Sequence, residues 1–217
     1  WANDFWGEMT FINCQQHIDP EYRKLQADPR FRQALSLALN RQEMIDIVWQ
    51  GMGEPAQYSV PEGSPYYNPA LHKAFVEYDP ERANRLLDAM GLDERSADGT
   101  RLLWSGRPLI MEVNTEQERP LAAVRLACGY WRDIGINALM KVRSGKVKWR
   151  LYRTGKYDIW VHKEGGNYFG PLDAGGIAPT HPAESVQFAA WAAWLRSGGR
   201  EGEEPPMRIK NLDRMWT

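Results

Sequence analysis

Apolar residues recur along this chain at helical spacing in some stretches and at strand spacing in others. Phe31, Ala34, Leu35, Ala38 and Leu39 fall at i, i+3, i+4, i+7 and i+8, on one side of a helix. Asp28 stands where a first-turn cap is needed and Pro29 suits the first helical position, so the spacing predicts a helix over 28–39. Asn40 with Glu43 three residues later opens a second over 41–50, with Met44, Ile47 and Val48 as its stripe and Gly51 as its stop. Asp79 and Pro80 start a third over 80–90, with Ala83, Leu86, Leu87 and Met90 facing inward. Leu121, Val124, Cys128, Trp131 and Ile134 give a fourth over 121–134, ended by Gly135.

Alternation marks the strands. "EMTFIN" (8–13) and "INALMKV" each read as one strand. "RLLWSGRPLIMEVNT" reads as a hairpin turning at Ser105-Gly106, its second arm alternating Leu109, Met111 and Val113. In the strand that starts at Tyr157, alternation sets Tyr157, Ile159 and Val161 on one side and Trp160 on the other. "GKVKWRLYRTGK" predicts a short basic amphipathic helix, and the proline and glycine density of 51–78 excludes a regular element there. The resulting order is β, α, α, loop, α, hairpin, α, β, α, β. It predicts an α/β fold, a mixed β-sheet flanked by helices. The α/β domain is expected over residues 1–171. Residues 172–217 read as a C-terminal extension, partly helical or loosely ordered, in which "FAAWAAWLRSGG" has the spacing of one helix and "REGEEPP" is a charged linker.

Composition narrows the function. A net charge of -1 with no basic block argues against nucleic acid, which demands a clustered positive surface. No apolar run approaches the roughly 20 residues that span a bilayer. Cys14 and Cys128 lie far apart, outside any CxxC or metal-ligand pattern, and read as two buried thiols. Ten Trp and nine Tyr are many for 217 residues, and aromatic faces often line ligand sites. The opening "WANDFWGEMTF" has no initiating Met and reads as the start of an excised fragment.

Candidate chemistry gathers where the strand from Tyr157 empties into a loop. Trp160, His162, Glu164, Gly165, Gly166, Asn167 and Tyr168 offer stacking faces and hydrogen-bonding groups there. Glu164 with Asp158 or Asp173 is the one carboxylate pairing that would suit glycoside hydrolysis. No GxSxG, HExxH, P-loop or dinucleotide fingerprint occurs, and His162 has no second His or Cys at metal-ligand spacing. The residues therefore point to binding rather than catalysis, with no cofactor and no metal.

"DPRFRQALSLALNRQEMIDIVWQGMGEPA", "YDPERANRLLDAMGL", "GYWRDIGINALMKV" and "GKYDIWVHKEGGNYFGPLD" occur in this order in a chain that resembles the family 5 extracellular solute-binding proteins. These are the oligopeptide-, dipeptide- and nickel-type receptors of ABC importers. The resemblance implies the second lobe of a class C periplasmic-binding-protein-like receptor, one that closes two lobes on a solute and presents it to permease subunits. It implies a bacterial periplasmic or cell-surface location, a monomer, and membrane association only through the permease or a lipid anchor. In peptide-binding members the loop beyond this strand reads like "GWCADYNEP", and its Asp pairs with the ligand's amino group. That Asp falls here at Asn167, with Tyr168 matching the adjacent Tyr and Glu164 at the Trp position. Asn is neutral and both donates and accepts, so an oligosaccharide or other neutral polar solute is the expected ligand, with an oligopeptide or dipeptide as the alternative.

Overall fold

The structure, a computed structural model, describes residues 6–57, 59, 62–165 and 187–216. In chain order its elements are β1 (Trp6–Asn13), α1 (Pro20–Ala27), α2 (Pro29–Leu37), α3 (Arg41–Trp49), α4 (Pro69–His72), α5 (Pro80–Asp88) and β2 (Ile110–Thr115). There follow α6 (Leu121–Asp133), β3 (Asn137–Val142), α7 (Gly145–Thr154), β4 (Ile159–Gly165), α8 (Ala189–Ser197) and α9 (Met207–Trp216). The local start signals act as expected. Asp28 accepts from the Arg30 N–H at 2.8 Å, Asn40 from the Glu43 N–H at 3.2 Å, and Asp79 from the Arg82 N–H at 2.8 Å. Each cap satisfies an otherwise orphaned donor, worth about 1 kcal/mol. The same chemistry starts α1, which the apolar pattern does not predict, and the single turn α4, capped by Asn68, which corrects the expectation of no regular element over 51–78. Asp19 accepts from the Glu21 and Tyr22 N–H groups ahead of Pro20, although Leu25 is the helix's one buried apolar side chain.

The strands form one mixed sheet in the order β1-β4-β2-β3. β4 pairs antiparallel with β1 (Phe11 with Val161, Asn13 with Ile159) and parallel with β2 (Val113 with Ile159). β2 also pairs parallel with β3 along its whole length. The expected hairpin is therefore corrected. The turn at Ser105-Gly106 exists, closed by the Gly106 N–H on the Leu103 carbonyl at 2.8 Å, but the arms share only the bridge Leu102–Pro108. The second arm continues into β2, whose backbone is taken up by two parallel neighbours.

The two faces of the sheet carry different cores. Phe11, Met111, Val113, Ala138, Ile159 and Val161 join α2, α5 and α6 in the larger cluster, with Leu35, Leu87 and Trp131 at its centre. Ile12, Cys14, Tyr157 and Trp160 form the smaller one, closed by Tyr152 of α7. Tyr157 thus sides with Trp160 and not with Ile159 and Val161, because it precedes the strand and is outside its pleat. Both cysteines are free and buried. Burial pushes the Cys14 thiol up to about 12 and that of Cys128 to about 11, so neither supplies a thiolate at neutral pH.

Two polar knots hold the layers in register. Arg101 is fully buried beneath the ends of α5 and α6. Its guanidinium donates to the carbonyl of Ile134 at 2.8 Å, to Asn84 and Asp88 at 2.6 Å each, and to the carbonyl of Leu92. Gly135 is required beside it. Its φ is +87°, and a Cβ there would lie 2.5 Å from Arg95 Nη1 and 2.9 Å from Arg101 Cγ. The second knot is Asp158, buried just before β4. Its Oδ2 accepts from the Glu112 N–H at 2.7 Å, and its Oδ1 faces His17 Nε2 at 3.4 Å. The Asp19 N–H donates to His17 Nδ1 at 2.9 Å, which leaves the neutral ring's proton on Nε2. Burial, opposed by the Glu112 hydrogen bond and reinforced by the charges of Glu112 and Asp19, raises the Asp158 carboxyl to about 7. Burial lowers the His17 imidazole.

Residues 187–216 dock on this body through polar contacts. Gln16 Oε1 accepts from the Ala190 and Trp191 N–H groups at 3.0 and 3.3 Å, capping α8 from outside, and Arg23 forks onto both oxygens of Glu203.

Replacing Arg101 by Met removes the buried donor to the carbonyls of Ile134 and Leu92, while Asn84 Oδ1 keeps Arg95 as a donor at 2.8 Å. The expected loss is about 3 kcal/mol of unfolding free energy in urea, against under about 1 kcal/mol for Asp88→Asn, whose carboxylate is half exposed. Equal losses would contradict this account.

Asp158 yields a pH prediction. Its folded pKa lies above the unfolded value of about 4, so its stabilising share is complete below that pH and is lost as pH rises through about 7. His17 acts in the opposite sense, its share being lost as pH falls below about 6.5. Asp158→Asn removes the first trend alone. The stability of the wild type relative to this variant should fall between pH 5 and 7, by at most about 1.4 kcal/mol per unit. A difference that stays flat over that interval refutes the assignment.

Candidate functional site

In open sheets with parallel strands, ligands lie outside the carboxyl ends, where neighbouring strands send their connections in opposite directions. β2 connects through α6 to β3 on one side, and β4 lies on its other side. That edge is formed by Thr115, Val142 and the run of β4 past Val161. The backbone of β4 continues beyond its pairing with β2 as far as Gly165, with β1 alone beside it (Thr10 with His162, Gly7 with Glu164, Trp6 with Gly165).

The sequence-derived candidates divide accordingly. Trp160 does not offer a stacking face. Its ring is fully buried against Tyr152 and Tyr157, edge-on at centroid distances of 5.3 and 6.5 Å. Alternation pointed it away from Val161, but the face it points to is the second core. His162, Glu164 and Gly165 lie on the part of β4 that reaches past the sheet edge. Gly166, Asn167, Tyr168 and Asp173 lie outside the described residues. Asp158 cannot work with Glu164 as a hydrolytic pair. Six residues of extended chain separate them by roughly 20 Å, beyond the roughly 5–10 Å such a pair needs.

Three charged residues that the sequence reading passed over meet at this edge. Glu116 follows the last residue of β2, Arg119 stands two residues before α6, and Lys148 lies in the first turns of α7. Lys148 Nζ donates to Glu116 Oε2 at 3.0 Å, and Arg119 Nη2 stands 3.7 Å from the same oxygen. All three side chains are largely covered. Beside them Arg143 pairs with Glu112 at 3.0 Å and with Asn114 Oδ1 at 3.2 Å. Trp149, next to Lys148, is the tryptophan that keeps an open face here, 41% exposed. A usable signal was present. "NTEQERP" is a polar run joining a strand to a helix, the kind of loop in which open sheets carry their ligand groups. What hid it was that its partner, Lys148, belongs to a different connection.

A cavity of about 180 Å³ opens at the other end of the sheet, bounded by His17, Gln16, Arg23, Thr154, Gly155 and the start of α8. It lies where residues 187–203 meet the amino end of the sheet, remote from the carboxyl edge. Among the described residues no three His, Cys, Asp or Glu side chains group as metal ligands, and no helix is long and apolar enough to cross a membrane.

The fold has counterparts. Residues 2–176 match the family described as bacterial extracellular solute-binding proteins, family 5 Middle. Di/tripeptide-binding protein 1 of Pseudomonas aeruginosa (strain UCBPP-PA14) is 35% identical over 167 residues, 77% of this chain and 29% of that protein. Di/tripeptide-binding protein 3 of the same strain is 31% identical over 187 residues, 84% of this chain and 32% of that protein. The chain thus spans about a third of the length of these curated relatives. Among solved structures, the oligopeptide-binding protein OppA superposes with a TM-score of 0.83 at 31% identity, covering 96% of this chain and 35% of that one. The periplasmic binding protein MelB of Agrobacterium fabrum C58, in complex with stachyose, superposes at 0.73 over 97% of this chain and 33% of that one; at 16% identity the likeness is one of fold alone. With most of its length matched to the family and an α/β lobe of the same architecture, the chain belongs to the bacterial extracellular solute-binding proteins of family 5.

Proposed function

We propose that this chain is one lobe of a receptor that captures short peptides outside the cytoplasm and delivers them to the permease subunits of an ABC importer. The observation that carries this reading is the identity of 31–35% over 77–84% of the chain to proteins named for di- and tripeptides. It favours peptides over the neutral solute expected from Asn167.

The carboxyl edge supports the same ligand class. Arg119 and Lys148 present two cations against the single carboxylate of Glu116. An arginine fork matches a free carboxylate bidentately, and a short peptide carries one at its C-terminus. His162, Glu164 and Gly165 lie on the strand end past this edge, and Gly166, Asn167 and Tyr168 remain the contacts that the family resemblance implies. Trp160 leaves the contact set and becomes the packing that fixes β4 beneath it. Binding is capture without chemistry, and closure is a population shift driven by contacts that a ligand makes to both lobes.

The test is a thermal-shift panel on the full-length receptor. Free di- and tripeptides should raise the Tm by several degrees and be recovered intact. The same peptides amidated at the C-terminus should lose most of the effect. Stabilisation by oligosaccharides but not by peptides would overturn the proposal.

A further inference from the structure

The cluster at the carboxyl edge has an uneven charge count. Arg119 and Lys148 contribute two positive charges and Glu116 one negative, while Arg143 and Glu112 cancel each other nearby. Among the described residues the balance is one positive charge in a largely covered site, and charge held away from water is costly unless it is paired. The hydrogen bonds are uneven too. Glu116 is committed to Lys148 and packs against the first residue of α7, where a Cβ on Gly145 would come within 3.4 Å of Oε1. The Arg119 side chain makes no hydrogen bond with any described residue. Its Nη2 is too far from Glu116 for one, and its buried Nε has no acceptor.

We propose that Glu116 is a specificity residue that sets the net charge of this pocket at one. It holds Lys148, cancels one of the two cations, and leaves the Arg119 fork for a single carboxylate. The pocket then takes the one-charge terminus of a peptide and discriminates against a group that brings two. The inference rests on the peptide reading above, but it concerns a property of this lobe alone. At separations of about 5 Å in this largely covered site, one unpaired charge is worth at least about a factor of ten in affinity.

The experiment uses the 217-residue chain and two probes that lack an amino group: N-acetylglycine with one charge and N-acetylaspartate with two. Binding is followed through the NMR signals of Arg119 Nε–H and Trp149 Nε1–H. The wild type should bind N-acetylglycine at least as well as N-acetylaspartate. Glu116→Gln should shift the ratio of the two affinities about tenfold toward N-acetylaspartate. Lys148→Met should shift it the other way and weaken both, and it carries the test if the first variant does not fold. A ratio that stays fixed in a folded variant, with both probes weakened alike, would mean that Glu116 is only structural and would sink the proposal. So would the absence of any shift at Arg119 in the wild type, even if the full-length receptor binds peptides. Conversely, the selectivity change in a receptor that ignores peptides would leave this pocket standing and remove the peptide reading.

Discussion

The pairing of β4 is the constraint on which the rest depends. It is the last strand of the sheet in sequence, yet it lies between the first strand and the second. Ile159 meets Asn13 on one side and Val113 on the other, so neither pairing exists until most of the chain has been made. Contacts so remote in sequence must repay a large closure entropy together, which ties the stability of both sheet halves to one strand. β4 is buried on both faces, by Ile159 and Val161 in the larger core and by Trp160 in the smaller one. Each layer of the fold is anchored to it.

That arrangement separates what was legible from what was not. Helix starts were legible because a cap is a local event, decided by an Asp or Asn and the next three residues. The missed α1 had its cap signal, Asp19-Pro20, but little apolar face to go with it. Strand existence was legible from alternation, while partnership was not. The "LLWSGRPL" turn suggested a hairpin, and nothing local announced that β2 would be claimed by β3 and β4. The site divided the same way. Residues near the end of β4 stood out through their aromatic and polar mix, and Trp160 was misjudged because alternation gives a side but not what covers it. Glu116, Arg119 and Lys148 come together only once two separate strand-to-helix connections are set side by side.

The two ends of the sheet are electrostatically unlike. At the amino end Asp158, His17 and Asp19 form a closed set whose members face one another, and Asp19 and Glu21 are further tied by Arg107. At the carboxyl end the described cations exceed the carboxylates. The first end completes itself within the chain, whereas the second keeps one cation unmatched among the described residues. Charge balance separates the two ends more clearly than burial does, since both are largely covered.

Arg101 has a further meaning for how the chain avoids wrong answers. Its guanidinium reads the carbonyl end of α6 and the far end of α5 at the same moment. A compact state with either helix out of register would trap that cation without acceptors, at a cost comparable to the whole net stability of a small domain. Apolar side chains tolerate such slips, because one greasy neighbour serves nearly as well as another. A single charged residue in the core thus acts as a checksum on the helix packing, widening the energy gap between the native arrangement and its near misses.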